Sequence, residues 1–234
     1  MSDQGRLTRL LGTASGVLLV CGVVVGLTVS PARMSFGQAN RPAANTGPIE
    51  VFLVFEPDPS YRQALPKGES TVTLPSGPKG EPAVTDGAIE VDSFDFGMEN
   101  SPNIGAATTG AGAGKAKFHD FTIKKAVDAT SPLLFEASAM NHHYNIVKLF
   151  LRRSGAKLPY LAFTFKLVGV KSVDWSRRSG GDRPEEQVVF EYGSVAITYR
   201  RQNPADGSLG SPTFQSWSRI SNSPDASLTT EVKP

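Results

Sequence analysis

The chain has 234 residues, 39% hydrophobic and 20% charged, with a formal net charge of +2. This is the balance of a globular protein able to bury a core. It excludes the strong overall field that draws a protein to nucleic acid or to an acidic membrane, and the single cysteine, Cys21, excludes an internal disulfide.

Arg6 and Arg9 precede an uncharged run over residues 10–32, whose apolar centre is 17–29. Basic, apolar and then small residues is the order of a secretory signal. Cleavage sites fall after Ala32 and after Ala39, and either cut leaves the rest of the chain close to neutral. The alternative is an uncleaved anchor over residues 10–32, because about 20 apolar residues span a bilayer. Cys21 reads as filler in the apolar run, since Val20 stands where a lipoprotein signal needs a small residue. Residues 33–47, rich in Ala, Asn, Gly and Pro, read as an unstructured leader.

The segment IEVFLVF from Ile49 is apolar on both faces and predicts a central strand. Residues 56–87 hold six prolines, and only 71–74 there suggests a strand. Residues 88–97 predict a strand whose alternation slips at Ser93, the mark of a bulge. Gly and Ala dominate from there to Gly114, a loop without periodicity. A strand over 116–126 slips phase again at His119-Asp120. Asp128-Ala-Thr-Ser131-Pro132 then predicts a helix start. The helix runs to about Asn141, with Leu133, Ala137 and Met140 as its apolar stripe and His142 and His143 closing it.

A hairpin follows, with Val147, Leu149 and Leu151 alternating before Ser154-Gly155. Leu161, Phe163, Phe165 and Leu167 line one face of its second strand. After a polar break over 177–184, a long strand carries Val188, Phe190 and Tyr192, then Val195, Ile197 and Tyr199 beyond a slip at Gly193. A turn over 203–211 leads to a short strand over 214–220, and residues 222–234 read as a loose polar tail. Long strands with repeated slips suit a strongly curved sheet. The fold class expected is mainly β: one antiparallel two-sheet barrel or sandwich, over residues 48–221, with a single flanking helix.

The stretch GAGAGKAKFHDFTIKKAVDATSPLL, residues 110–134, resembles the central segment of the haemolysin-coregulated protein (Hcp) family of type VI secretion. Ser93-Phe-Asp-Phe-Gly97 is similar to that family's aromatic-Gly strand end, and Ala205-Asp-Gly-Ser-Leu-Gly210 with Trp217 to its closing turn and last strand. The resemblance covers roughly residues 49–221 and makes residues 57–78 an insertion in the first loop, read as disordered. It implies a two-sheet barrel with a helix on its flank. It also implies a tube protein: subunits associating edge to edge into hexameric rings that stack and carry small effectors. A signal peptide departs from that family, whose tubes assemble in the cytoplasm.

Few residues suggest chemistry. Gly110–Lys115 imitates a phosphate loop, but Thr109, Ala116 and the strand that follows break the motif. His119, His142 and His143 are the only histidines. Adjacent histidines on a helix project about 100° apart and rarely chelate one ion, and no Gly-x-Ser-x-Gly elbow is present. Glu90, Asp92 and Asp95, and separately Glu185-Glu186, read as solvated acidic edges rather than a glycosidase pair. Arg152-Arg153, Arg177-Arg178 and Arg200-Arg201 suggest a basic rim for salt bridges or subunit contact, not for nucleic acid. The reading is therefore an exported structural ring-former, not an enzyme, with no catalytic, cofactor or metal residue. Its partners are further copies, secretion components or effector cargo. The alternative is an exported monomeric barrel that binds a glycan or other surface ligand.

Overall fold

The computed structural model describes residues 47–58, 64–74, 87–100, 116–156, 158–177, 180, 183–203 and 206–229. All belong to one compact unit, Asn40–Pro234. The described residues form ten strands: β1 Ile49–Phe55, β2 Ile89–Glu90, β3 Ser93–Asp95, β4 Met98–Glu99, β5 Lys117–Phe118, β6 Phe121–Ala126, β7 His143–Arg153, β8 Leu161–Ser176, β9 Glu185–Gln202 and β10 Leu209–Ser218. They also form two helices, α1 Ser131–Ala139 and the short α2 Ala226–Thr229.

The main sheet runs β2-β1-β7-β8-β9-β6-β3, wholly antiparallel, with β10 also on β9. Its two outermost strands, β2 and β3, are neighbouring pieces of one run of chain. The Val91 amide donates to the Val51 carbonyl of β1, and the next amide, Asp92, donates to the Lys124 carbonyl of β6. The slip at Ser93 is therefore a handover from one end of the sheet to the other, and it closes the barrel. β9 likewise serves two partners on one side. Residues 185–190 pair with β6, and residues 194–202 pair with β10.

The barrel is filled by aromatic rings. Phe121 stacks on Phe165 at 4.3 Å and on Phe190 at 5.5 Å, while Phe96 meets Phe163, Phe165 and Tyr192 edge-on. Such pairs add to the burial that holds a core together. Because both sheet faces are apolar, the outer face also needs a cover. Val72, Leu74 and Ala88 lie over Phe52, Val54 and Phe150, and Leu228 of α2 packs with Ile146, Ala196 and Phe214.

Several expectations are corrected here. Residues 71–74 form no strand; the neighbouring Ser70 makes a single bridge to Ala88. Residues 64–74, read as part of a disordered insertion, pack on the sheet, with Leu74 buried. Within the expected loop after Gly97, β4 pairs with β5, and residues 101–115, including the imitation phosphate loop, lie outside the described residues. α1 buries Ser131, Leu134 and Ala137, not Leu133 and Met140. That shift follows from Ser131, whose hydroxyl is drawn inward by Glu186. His143 opens β7 instead of closing the helix, which ends at Ala139 with Asn141 left-handed at φ 54°. Leu167 also has a positive φ, 55°, so its side chain leaves the core and Val168 and Val170 take over inside. The last strand begins at Leu209 rather than Phe214. The tail is not loose over 223–229: Ser223 bridges Ser218, and Leu228 is buried.

Candidate functional site

The most elaborate polar site is one the sequence pattern hid. Lys125 on β6 is fully enclosed, and its ammonium reaches Asp128 Oδ1 at 2.6 Å, Glu186 Oε1 at 2.8 Å and the Ala126 carbonyl at 3.0 Å. All three of its donors are satisfied, which a buried ammonium requires. Glu186 on β9 also accepts from the Ser131 hydroxyl at 2.9 Å and from Trp175 Nε1 at 2.8 Å. Asp128 accepts from the backbone and hydroxyl of Thr130, so Asp128 holds the turn that leads into the helix, and Thr130 makes no side-chain cap bond of its own. The site ties helix start, β6, β8 and β9 together. It has no free acid, base or nucleophile and is built for position. Glu186 was read as half of a solvated edge, and that reading is wrong. Glu185 is partly exposed, but Glu186 is buried, its carboxylate held by Lys125 of β6 and Ser131 of α1. The only local clue was its proximity to Trp175 across the hairpin.

The other named residues scatter. His119 is exposed between β5 and β6; its amide donates to Gly97, and its carbonyl accepts from the Tyr192 hydroxyl. Asp120 pairs with Lys171 at 2.7 Å and not with His119. His142 caps the helix end through its amide on Ala137, and His143 is exposed opposite Gly169. Glu90, Asp92 and Asp95 face solvent. Glu90 and Asp92 border a 260 Å³ hollow with Glu69, Asp128 and Arg183. A second hollow of 390 Å³ lies between Lys117, Glu191 and Arg219, whose guanidinium covers the Tyr192 ring at 4.7 Å. Among the described residues, no group of three or more His, Cys, Asp or Glu is placed to hold a metal ion.

The arginines do not form one rim. Arg152, Arg153, Arg200 and Arg201 gather where β7 and β9 end, while Arg177 lies at the opposite end, past β8. Arg152 pairs with Glu50 at 2.8 Å and covers Phe52, and Arg153 holds Gln202 and the Gly47 carbonyl. The Glu50 carboxyl is held below its usual range, first by a hydrogen bond from Ser154 and then by Arg152.

Both ends of the barrel expose apolar side chains. At the arginine end, Ile197 and Tyr199 of β9 and Ile49 of β1 are 41%, 47% and 51% exposed. Phe163 and Leu161, the cross-strand partners of Ile197 and Tyr199, pack against the core. At the helix end, the Phe135 ring lies 5.9 Å from that of Trp175, and both are about half exposed. Exposed apolar groups gathered in this way mark contact surfaces.

The family model described as "Type VI secretion system effector, Hcp" matches residues 74–199. The chain belongs to the Hcp family. Protein hcp1 of Pseudomonas aeruginosa is 31% identical over 105 residues, 44% of this chain. The match spans 65% of that relative's length. A solved structure described as a type six secretion system protein superposes with a TM-score of 0.62 at 25% identity, covering 76% of this chain and all of that one. Hcp1 from Salmonella typhimurium gives 0.55 at 21% identity, covering 76% and 99%, and this likeness shows the shared fold. The antiparallel Hcp-like barrel and the resemblance read from residues 110–134 are both supported. These likenesses favour the Hcp reading over a monomeric binding module.

Proposed function

We propose that this chain is a structural tube component of a type VI secretion system, one that assembles as a closed, hexameric ring of identical subunits. Membership of the Hcp family carries the reading, and two features of the barrel support it. The most organised polar site seats the start of α1 against β9, which is a positioning role. The apolar surface is exposed at two separate ends of the barrel, which suits a subunit with neighbours on two sides.

Unpaired strand edges contribute little to association in this reading. The barrel closes on itself through residues 91–92. The β10 edge is guarded at one end by Pro212, which lacks an amide hydrogen, and at the other by the bridge from Ser218 to Ser223. Side-chain surfaces therefore carry the association in this reading. The loop over 98–114 is proposed as a subunit contact, stacked rings and effector cargo are the partners, and nucleic acid is not. No catalytic, cofactor or metal residue is assigned.

The leader over residues 1–39 is proposed to direct export with cleavage after Ala32 or Ala39. Intact mass of the protein from its producing cells tests this. Full-length chain in the membrane fraction makes the leader an anchor, and full-length chain in the cytosol rejects both. Sedimentation across a wide concentration range tests the ring: a discrete closed species is expected, and a monomer throughout overturns it. Replacing residues 105–112 by a short polar turn is expected to weaken the ring with the barrel still folded.

A further inference from the structure

We propose that the two exposed apolar ends of the barrel are partners for each other: the Phe135–Trp175 pair of one copy docks on the Ile197–Tyr199 surface of the next. This inference rests on the ring reading and names the surfaces that would build it.

Three observations converge. The two patches are chemically alike, each an aromatic ring beside other apolar groups, and each is half exposed in the single subunit. They are spatially distinct. Register places Trp175 at the end of β8 paired with Glu186, and Tyr199 at the far end of β9 paired with Leu161, the first residue of β8. They are thus separated by the length of β8, and one subunit cannot satisfy both itself. A subunit with two different sticky ends associates head to tail, through a heterologous contact that closes into a ring or continues as a filament.

The charges around the patches differ in sign. Arg153 and Arg201 share the strand face of Ile49 and Tyr199, and Arg152 and Arg200 stand beside them, against Glu50 and Asp206. Around Phe135 and Trp175 stand Glu136, Asp174 and Glu185, against Arg177 and Arg183. Oppositely charged rims on apolar centres favour this orientation and disfavour like ends meeting, because a patch meeting its own copy would bring like charges together.

The experiment is a mixing test by sedimentation velocity, with the full chain as purified from cells. Phe135→Asp and Tyr199→Asp alter exposed side chains, so each variant is expected to keep the wild-type melting temperature. Each alone is expected to be monomeric at concentrations where wild type forms its closed species. An equimolar mixture is expected to form a heterodimer, because one intact surface remains on each member. A folded variant that still assembles like wild type overturns the proposal while leaving the ring intact, and so does a mixture that stays monomeric. Wild type that is monomeric throughout instead overturns the ring reading and this inference with it. If an aspartate variant fails to fold, the charge pair serves: Glu136→Arg and Arg201→Glu should each weaken assembly, and combining them in one chain should restore it. Absence of that recovery overturns the proposal.

Discussion

Lys125 Nζ lies 2.8 Å from Glu186 Oε1, with both side chains fully enclosed. Around this contact Ser131, Asp128 and Trp175 complete a hydrogen-bonded set that seats the start of α1 against β9.

Removing one member of such a set leaves charge uncompensated. Lys125→Met is expected to cost about 3–5 kcal/mol, since Glu186 would remain buried without a cation. Glu186→Gln keeps the shape and leaves Lys125 its contact with Asp128, so its cost should be about 1–3 kcal/mol. Urea unfolding of the two variants measures the order, and a Lys125→Met protein as stable as wild type would refute the account.

The buried phenols set an alkaline limit. Burial, and then the nearby Glu136, push the Tyr144 pKa up to about 12, and burial also raises that of Tyr192 against the opposing pull of Arg219. A raised pKa means the neutral form is favoured in the fold. The stabilisation is whole below the unfolded value near 10 and is lost as pH rises from there through about 12. Tyr144→Phe removes that group from the balance, so its stability should fall less between pH 10 and 12. Stability measured against pH for both proteins decides it.

The docked C-terminal segment has the opposite dependence. Burial works against ionisation of Asp225, but hydrogen bonds from Ser194 and Ser227, with Lys166 nearby, still hold its carboxyl below the ordinary range. Its contribution is present above about pH 4 and fades as pH falls through the depressed folded value. Leu228→Ala, which empties an enclosed site, is expected to release residues 223–229 with little change in the global transition. Faster hydrogen exchange at Ser218, whose amide holds Ser223, would report it, and unchanged exchange would count against it.

Two glycines separate backbone from side-chain crowding. A methyl group at Gly68 would lie 2.3 Å from the Ala88 carbonyl oxygen, which is fixed by the sheet. Gly68→Ala should therefore cost about 1–3 kcal/mol by forcing residues 64–74 off β2. At Gly193 the nearest obstacle is Ile220 Cδ1 at 2.9 Å, the tip of an exposed side chain that can turn away. Thermal unfolding should show the first substitution as the worse.

Much of the fold was legible because strand period and slips are local. The slip at Ser93 was visible as a change of phase, although only the structure shows that it joins β1 to β6. Glu186 was misread for the complementary reason. Its neighbours in sequence are polar, and what buries it arrives from β6 and α1, some sixty residues away. The helix stripe was placed one residue early because a hydroxyl, Ser131, occupies the inward face and does not register as apolar. Alternation placed Ile197 and Tyr199 on one face of the long strand, but it does not report that the barrel stops short of covering that face.

The handover at residues 91–92 has a mechanical consequence. In most closed sheets the first and last strands meet along a single ladder, and pulling them apart needs only that row of hydrogen bonds to fail. Here β1 and β6 are bridged by the chain itself, so a load that spreads the barrel wall is borne at that point by peptide bonds. The wall behaves as a hoop with a stitched seam, able to carry hoop stress without opening from its edge.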